Sequence, residues 1–363
     1  MVTTREVERE IHGKRGSSPF TRRASVQIAT TPREEVWHRD KVRLFRFRPT
    51  KPAIFHVPVL ISYGLIGRWT MVDLQQDRSL VSKLLDAGIT VYVADWGNPS
   101  RADRFLTLDD YICGYLDDCI NEVCHREKVD RINLFGVCEG GVFGLAYASL
   151  KPSKINTLIL AITPIDFHGD QKNSSGSEGL LNVWIRSIPP TDVDRIIDSQ
   201  GNLRGAFMGT IFTMLTPVRS MLKYNSDLVN IVSNEEKTLN WLCMEKWIAD
   251  RPDHPGEAGK QWLKDLYQEN RLIKNEWELD GQKVNLKNIT APILNIYASA
   301  DHIIPPSTTC VLNGKTSSTD YRELNLPGGH VGIFVGSRAQ NLFGSSVIEF
   351  LKKYDTAKVS EKA

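Results

Sequence analysis

The stretch LFGVCEGG, residues 134–141, has the form Gly-x-Cys-x-Gly, with Cys138 between Gly136 and Gly140. The apolar run at 132–135 precedes the cysteine and reads as a strand, and GVFGLAYASL follows it and reads as a helix. A sharp strand-to-helix turn is where a nucleophile elbow presents its reactive side chain. The motif alone also fits a second interpretation, a small buried cysteine in a glycine-rich turn.

The chemistry of such a turn favours a reactive thiol. Glycines on both sides of Cys138 allow a strained turn and close packing of the helix against the strand. The positive end of the helix dipole also favours a thiolate over a thiol.

The order of predicted elements around this turn indicates the fold class. Strands are predicted at 41–48, 57–64, 89–97, 131–137 and 155–166, and helices at 77–88, from Thr107 onward and after Cys138. Thr107 and Asp110 have the spacing of a capping box. Strands that alternate with helices predict a mostly parallel sheet covered on both faces.

A different pattern interrupts this alternation. Residues 167–285 are predicted to be helical and hold five of the eight tryptophans, after which strands return at 291–301 and 320–329. We therefore predict an α/β core with an inserted helical cap. The predicted parts are a flexible lead-in (1–35), the first part of the core (36–166), the cap subdomain (167–285), the second part of the core (286–354) and a flexible tail (355–363).

The bulk composition narrows the classes of function. The 363 residues are 41% hydrophobic and 24% charged with a net charge of +2, which is typical of a globular protein and does not indicate nucleic-acid binding. No apolar run reaches the roughly 18 residues of a membrane span, and no signal core is visible, so we expect a cytoplasmic protein without a transmembrane segment. Six cysteines in that compartment predict neither disulfides nor a metal site, because their spacing is not that of metal ligands.

An elbow nucleophile requires an acid and then a base later in the chain. Asp301 ends the strand pattern ILNIYASA, and His330 closes LNLPGGH after the next predicted strand. These positions predict a catalytic triad of Cys138, Asp301 and His330. His302 is the rival base, ranked second because its neighbour Asp301 cannot easily orient it. The other histidines are predicted to be surface or packing residues.

Longer motifs identify a family. DRSLVSKLLDAGITVYVADWGNPSRADRFLTLDDYICGYLD, GVCEGG, MEKWIADRPD, NIYASADHIIPP and LPGGHVGIFVG resemble the polyhydroxyalkanoate synthases, and most closely their short catalytic subunits. The resemblance covers residues 35–352 and implies an α/β-hydrolase fold. It also implies a cysteine acyltransferase that polymerises 3-hydroxyacyl-CoA thioesters, with Cys138 as nucleophile, Asp301 as acid and His330 as base. The CoA thioester is the substrate, and neither a cofactor nor a metal is implied.

The chain departs from the family pattern at two positions. Glu139 follows the nucleophile where an uncharged residue is more usual, and Gly67 replaces an asparagine in the loop after an early strand. Backbone N–H groups do not depend on the side chain. We therefore predict that the N–H groups of Glu139 and Gly67 form the oxyanion hole.

The resemblance also implies partners. The short catalytic subunits work with a second, helical subunit of the PhaE or PhaR type, and we expect a homo-oligomer at the surface of polyester granules. Two other hypotheses remain open from the residues. One is a cysteine-dependent α/β hydrolase or a small-molecule CoA acyltransferase, and the other is a non-catalytic granule scaffold with an unreactive Cys138.

Overall fold

A computed structural model describes residues 26–169, 180–214 and 234–355 of the chain. Its centre is an eight-stranded sheet. The strands are β1 (Arg33–Arg39), β2 (Val42–Phe47), β3 (Val59–Ser62), β4 (Val91–Asp95), β5 (Ile132–Val137), β6 (Ile155–Ala161), β7 (Ile293–Ala298) and β8 (Tyr321–Leu326). Their spatial order is β1-β2-β4-β3-β5-β6-β7-β8. Within this sheet, as the structure describes it, only the pairings of β2 with β1 and with β4 are antiparallel, which confirms the mostly parallel sheet.

Helices connect and flank these strands. They are α1 (Leu80–Asp86), α2 (Asp117–Glu127), α3 (Glu139–Leu150), α4 (Leu180–Ser187), α5 (Pro190–Gln200), α6 (Gly205–Met214), α7 (Glu235–Ala249), α8 (Gly256–Gln261), α9 (Arg271–Lys274), α10 (Pro306–Thr309), α11 (Gly332–Val335) and α12 (Ser337–Tyr354). Two π-helical segments, Asp110–Leu116 and Trp262–Gln268, adjoin α2 and α8. Short 3₁₀ turns occupy Trp69–Val72, Arg101–Asp103, Pro152–Lys154, Leu286–Asn288 and Cys310–Leu312. Three two-stranded ladders pair Asp73–Gln75 with Arg78–Ser79, Asn202–Leu203 with His254–Pro255, and Glu278–Leu279 with Gln282–Lys283.

Both faces of the sheet are buried, which explains why its central strands are apolar at successive positions. Leu134 and Phe135 are neighbours on β5, yet they belong to the hydrophobic clusters on opposite faces of the sheet. Phe143 of α3 packs in the first cluster, and Phe343 of α12 packs in the second. Since side chains of a strand alternate between faces, a strand covered on both sides needs apolar residues throughout.

The predicted capping box is confirmed. Asp110 accepts hydrogen bonds from the backbone N–H and the hydroxyl of Thr107, both at 2.8 Å. The Thr107 hydroxyl accepts in turn from the backbone N–H of Asp110 at 3.2 Å. These reciprocal bonds satisfy donors at the start of the long helical segment that ends with α2.

The segments predicted as a flexible lead-in and tail are described in part, at 26–35 and at Asp355. Strand β1 begins at Arg33, and Thr31 donates from its backbone N–H and its hydroxyl to the buried Asp73. At the other end, Asp355 accepts from the backbone N–H groups of His56 and Val57. Buried and hydrogen-bonded groups therefore fix both segments as far as they are described, while 1–25 and 356–363 lie outside the described residues.

Between β6 and β7 the described chain forms helices α4 to α9. Trp262 and Trp277 are 1% and 0% exposed, so these two tryptophans are core residues. Positions 170–179 and 215–233 of the predicted cap lie outside the described residues. Across 26–169, 180–214 and 234–355, no helix has the length and apolar character that a membrane span requires.

Candidate active site

Cys138 occupies the turn between β5 and α3 with φ 55° and ψ −122°. A positive φ is rare for a residue with a side chain, and it costs about 1–3 kcal/mol where the surrounding structure enforces it. The surrounding structure does so here, because the Cys138 N–H donates to the carbonyl of Ala161 at the end of β6, at 2.9 Å. The turn presents a partly exposed thiol at the N-terminus of α3.

The neighbouring glycines are required for close packing. A Cβ at Gly140 would collide with the carbonyl of Ser62 on β3, and a Cβ at Gly136 would collide with the backbone of Gly141. Helix α3 therefore approaches the sheet more closely than any side chain would permit at these positions. The Gly-x-Cys-x-Gly pattern has a steric cause in this structure.

Asp301 and His330 meet at the ends of adjacent parallel strands. Asp301 follows β7, and its side chain is 0% exposed. One carboxylate oxygen accepts from the backbone N–H groups of Ile303 and Ile304, both at 2.9 Å. The other oxygen lies 2.8 Å from Nδ1 of His330, which follows β8. The structure thus brings together the predicted acid and base, and this contact is the reason to prefer His330 over His302.

The surroundings of His330 favour its protonated form. Its side chain is 12% exposed, and burial by itself would lower its pKa. The charge and hydrogen bond of Asp301, together with a hydrogen bond and charge from Cys138, outweigh burial and raise the pKa of His330 to about 10. His330 therefore interacts with both other members of the predicted triad.

The Glu139 side chain occupies an unexpected place. The residue is 0% exposed, and Oε2 accepts from the backbone N–H groups of Leu65 at 2.6 Å and Ile66 at 3.1 Å. Oε1 lies 2.8 Å from Nε2 of His254, a buried residue. His254 was expected to be a surface or packing residue; its contact with Glu139 links it to the elbow instead.

The predicted oxyanion donors lie on the two segments that Glu139 joins. Gly67 belongs to the loop after β3, and the Glu139 N–H begins α3. The loop donors Leu65 and Ile66 are engaged by the Glu139 carboxylate. The assignment of Gly67 and Glu139 to the oxyanion hole stays a prediction.

Two buried tyrosines also lie near the thiol. Burial is the main cause that raises the pKa of Tyr63 and of Tyr267, and the charge of Cys138 adds to the increase at both. Both phenols therefore keep their protons and remain hydrogen-bond donors at neutral pH. Tyr63 follows β3 and Tyr267 comes from the π-helical segment after α8, so no sequence pattern connects them with Cys138.

All six cysteines are free. Burial raises the pKa of Cys119, Cys243 and Cys113, as expected for unreactive structural thiols. Within the described ranges, no group of three or more His, Cys, Asp or Glu side chains is arranged to hold a metal ion.

Comparison with known proteins identifies the family. A family model described as the alpha/beta hydrolase fold matches residues 57–337. The chain is 41% identical over 331 residues to the poly(3-hydroxyalkanoate) polymerase subunit PhaC of Synechocystis sp., a match that covers 90% of this chain and 86% of that protein. The chain belongs to the PhaC family of polymerase subunits. The PhaC subunit of Allochromatium vinosum is also 41% identical, over 87% of each protein.

Solved structures support the fold of this family member. A soluble variant of monoglyceride lipase from Saccharomyces cerevisiae aligns with a TM-score of 0.56 at 13% identity, over 92% of this chain and 99% of that one. A thermophilic esterase from Thermogutta terrifontis aligns with a TM-score of 0.53 at 16% identity, over 89% and 99% of the two chains. At such identities the likeness concerns the fold alone, and the α/β-hydrolase prediction is confirmed.

Proposed function

We propose that the protein is a poly(3-hydroxyalkanoate) polymerase, an acyltransferase that moves 3-hydroxyacyl groups from CoA through Cys138 to a growing polyester. The observation that carries this proposal is a thiol at a strained elbow, in contact with a His330 that is itself paired with the buried Asp301. The membership of the PhaC family supplies the substrate class.

The loading step begins at the thioester carbonyl. The sulfur of Cys138 attacks this carbon, and His330 holds the thiol proton. The tetrahedral intermediate collapses as the bond to the CoA sulfur breaks, and His330 gives its proton to the departing thiolate. Asp301 orients the imidazole and stabilises its charged form, as expected from the 2.8 Å contact.

The elongation step forms the polymer ester. His330 accepts the proton of a 3-hydroxyl group, and that oxygen attacks the acyl thioester carbon on Cys138. The carbon–sulfur bond breaks, and the Cys138 sulfur recovers the proton from His330. One oxygen ester replaces one thioester, and no oxidant or metal takes part in this sequence of steps.

A thiol suits a polymerase better than a hydroxyl. Transfer from one thioester to another is close to thermoneutral, so loading from CoA does not trap the acyl group. An oxygen ester on a serine would lie well below a thioester in free energy. The next hydroxyl can therefore attack downhill only from the cysteine thioester.

Each tetrahedral intermediate carries a negative oxygen that needs donors. We assign these donors to the backbone N–H groups of Glu139 and Gly67. Each such donor contributes about 10²–10³ in rate in enzymes of this kind. The N-terminus of α3 lies at the same place and adds a positive dipole.

The assay that tests the proposal supplies 3-hydroxybutyryl-CoA to the purified full chain, with and without a helical subunit encoded in the same genome. We expect release of CoA accompanied by insoluble polyester. Release of CoA together with free 3-hydroxybutyrate would instead indicate a hydrolase. An absence of both, together with an unreactive Cys138, would indicate a granule scaffold.

We further propose that the protein is part of a heteromeric synthase located on cytoplasmic polyester granules. Within that synthase, several copies of this chain would associate as a homo-oligomer. The relatives are named as subunits of a polymerase, which supports a partner of the PhaE or PhaR type. Val183 on α4, Met214 on α6 and Leu342 on α12 are large apolar residues that are 51%, 70% and 45% exposed. We propose that these exposed apolar side chains, on the cap and on the terminal helix, contribute to the surfaces that dock the partner.

A further inference from the structure

One buried carboxylate connects three separate parts of the molecule. Glu139 begins α3 next to Cys138, and its side chain binds the backbone of Leu65 and Ile66 after β3. The same carboxylate reaches His254, which pairs with Leu203 in a ladder of the region between β6 and β7. We refer to residues 63–67 as the β3 loop.

The contacts around Glu139 satisfy a costly buried group. An unpaired carboxylate inside a protein is strongly unfavourable, so both oxygens need donors. Oε2 has two backbone N–H donors, and Oε1 has His254, whose side chain is 2% exposed. The other ring nitrogen of His254 faces the carbonyl of Pro255 at 3.3 Å. Removal of either partner leaves the other buried without its counterpart.

Gly64 makes room for this arrangement. A Cβ at position 64 would lie 2.6 Å from Cβ and 2.7 Å from Oε2 of Glu139. The β3 loop therefore lies directly against the glutamate side chain, and it can do so only because residue 64 is glycine. The position of the loop and the identity of residue 139 are coupled through this contact.

We propose that Glu139 and His254 are positioning residues that hold the β3 loop in place to stabilise the tetrahedral intermediate, an inference that rests on the proposed polymerase function. The carboxylate engages the N–H groups of Leu65 and Ile66, which fixes the loop that carries Gly67. His254 fixes the carboxylate from the opposite side. A displacement of about 1 Å at such a loop can cost about 10²-fold in rate.

Two reactions of the Cys138 thiol distinguish a loss of oxyanion donors from a general change in the reactivity of the thiol. Loading by 3-hydroxybutyryl-CoA passes through a tetrahedral oxyanion, whereas alkylation by iodoacetamide displaces iodide at a saturated carbon and forms no oxyanion. Donors on the β3 loop stabilise only the first reaction. In folded protein, the ratio of the two rate constants on Cys138 therefore reports the oxyanion donors, because a change in the nucleophilicity of the thiol affects both reactions.

The informative variants are Glu139→Gln and Glu139→Leu in the full chain. The glutamine keeps an oxygen for Leu65 and Ile66, and its NH₂ can donate to His254 when that ring carries its proton on the side of Pro255. The leucine removes every acceptor. We expect Glu139→Leu to lower the loading rate about 10- to 100-fold with alkylation changed less than about threefold, while Glu139→Gln retains most loading.

Two further substitutions are needed, one at His254 and one at a matched control position. His254→Leu should lower loading as Glu139→Leu does, and the double variant should be no slower than either single variant because the two residues act together. Asn133→Leu is the control, since Asn133 is a buried polar residue at the other end of β5. It should lower stability without changing the ratio of loading to alkylation.

Hydrogen exchange gives a readout independent of the reaction. Amides in the β3 loop should exchange faster in Glu139→Leu than in Glu139→Gln. The inference would be overturned if the β3-loop amides exchanged at equal rates in Glu139→Leu and Glu139→Gln, or if the two variants had equal ratios of loading to alkylation. Additive effects of Glu139→Leu and His254→Leu would also overturn it. If the wild-type chain forms no acyl-enzyme with or without its partner, the proposed function fails, and the exchange result still decides whether Glu139 holds the loop.

Discussion

His330 is held between an anionic partner and the thiol, and this position makes it a source of pH-dependent stability. Its pKa in the folded protein is raised to about 10, against about 6.5 in an unfolded chain. The folded state therefore binds the proton more tightly. The resulting stabilisation is fully present below about pH 6.5 and is lost as the pH rises through about 10.

This linkage predicts a difference between wild type and His330→Gln. The free energy of unfolding of the wild type should exceed that of the variant by more at pH 6.5 than at pH 10, as measured by urea denaturation. The same comparison in a Cys138→Ala background should show a smaller pH-dependent difference, because Cys138 contributes a hydrogen bond and a charge to the raised pKa of His330. A difference that is constant, or that grows with pH, would contradict the interactions assigned to His330.

The strand–turn–helix element that carries Cys138 stores backbone strain. Replacing Cys138 with glycine should relieve the positive φ, which costs about 1–3 kcal/mol, whereas alanine retains that cost. We expect the free energy of unfolding of Cys138→Gly to exceed that of Cys138→Ala by about 1 kcal/mol, despite the larger entropy of an unfolded glycine.

Ala148→Gly on α3 is the matched control for this prediction. There the backbone is helical, so glycine should be less stable than alanine by about 1 kcal/mol or more. If Cys138→Gly were less stable than Cys138→Ala, as at position 148, the elbow would not be strained.

Elements with regular local patterns could be predicted from the sequence, and irregular ones could not. Strands β3 to β7 are largely apolar runs bounded by turn residues, and the Thr107 capping box is a local signal. Strand β1 was missed because REEVWHR is mostly charged and its pairing with β2 shifts register between Glu35 and Trp37. An exposed, irregular edge strand has no clear alternation to detect.

In the active site, too, some residues could be predicted from the sequence and others could not. Cys138, Asp301 and His330 each end a recognisable strand, so their proximity follows from parallel strands that end at one edge of the sheet. The pairing of Glu139 with His254 spans 115 residues and depends on how a helical region packs over the core. No periodicity marks His254 in RPDHPG, and therefore only the three-dimensional structure connects it with the elbow.

We expect catalysis by the complete protein to depend on a second, helical subunit. The purified chain should polymerise 3-hydroxybutyryl-CoA slowly or after a lag, and adding the partner should remove the lag and increase the mass of the complex. Leu342→Glu on α12 and Met214→Glu on α6 should weaken this effect if those exposed side chains dock the partner. Lag-free polymerisation by the chain alone, with no change in mass on mixing, would contradict the dependence.

Polymerisation as proposed requires that Cys138 carries the growing chain as a thioester. The most direct measurement is mass spectrometry of the full chain, quenched in acid after brief exposure to 3-hydroxybutyryl-CoA with its partner, followed by peptide mapping. We predict one or more 3-hydroxybutyryl groups on Cys138, removable by hydroxylamine, absent in Cys138→Ala and strongly reduced in His330→Gln but not in His302→Gln. An acyl group on another residue, or undiminished polymer formation by Cys138→Ala, would contradict the role of Cys138 as the acyl carrier.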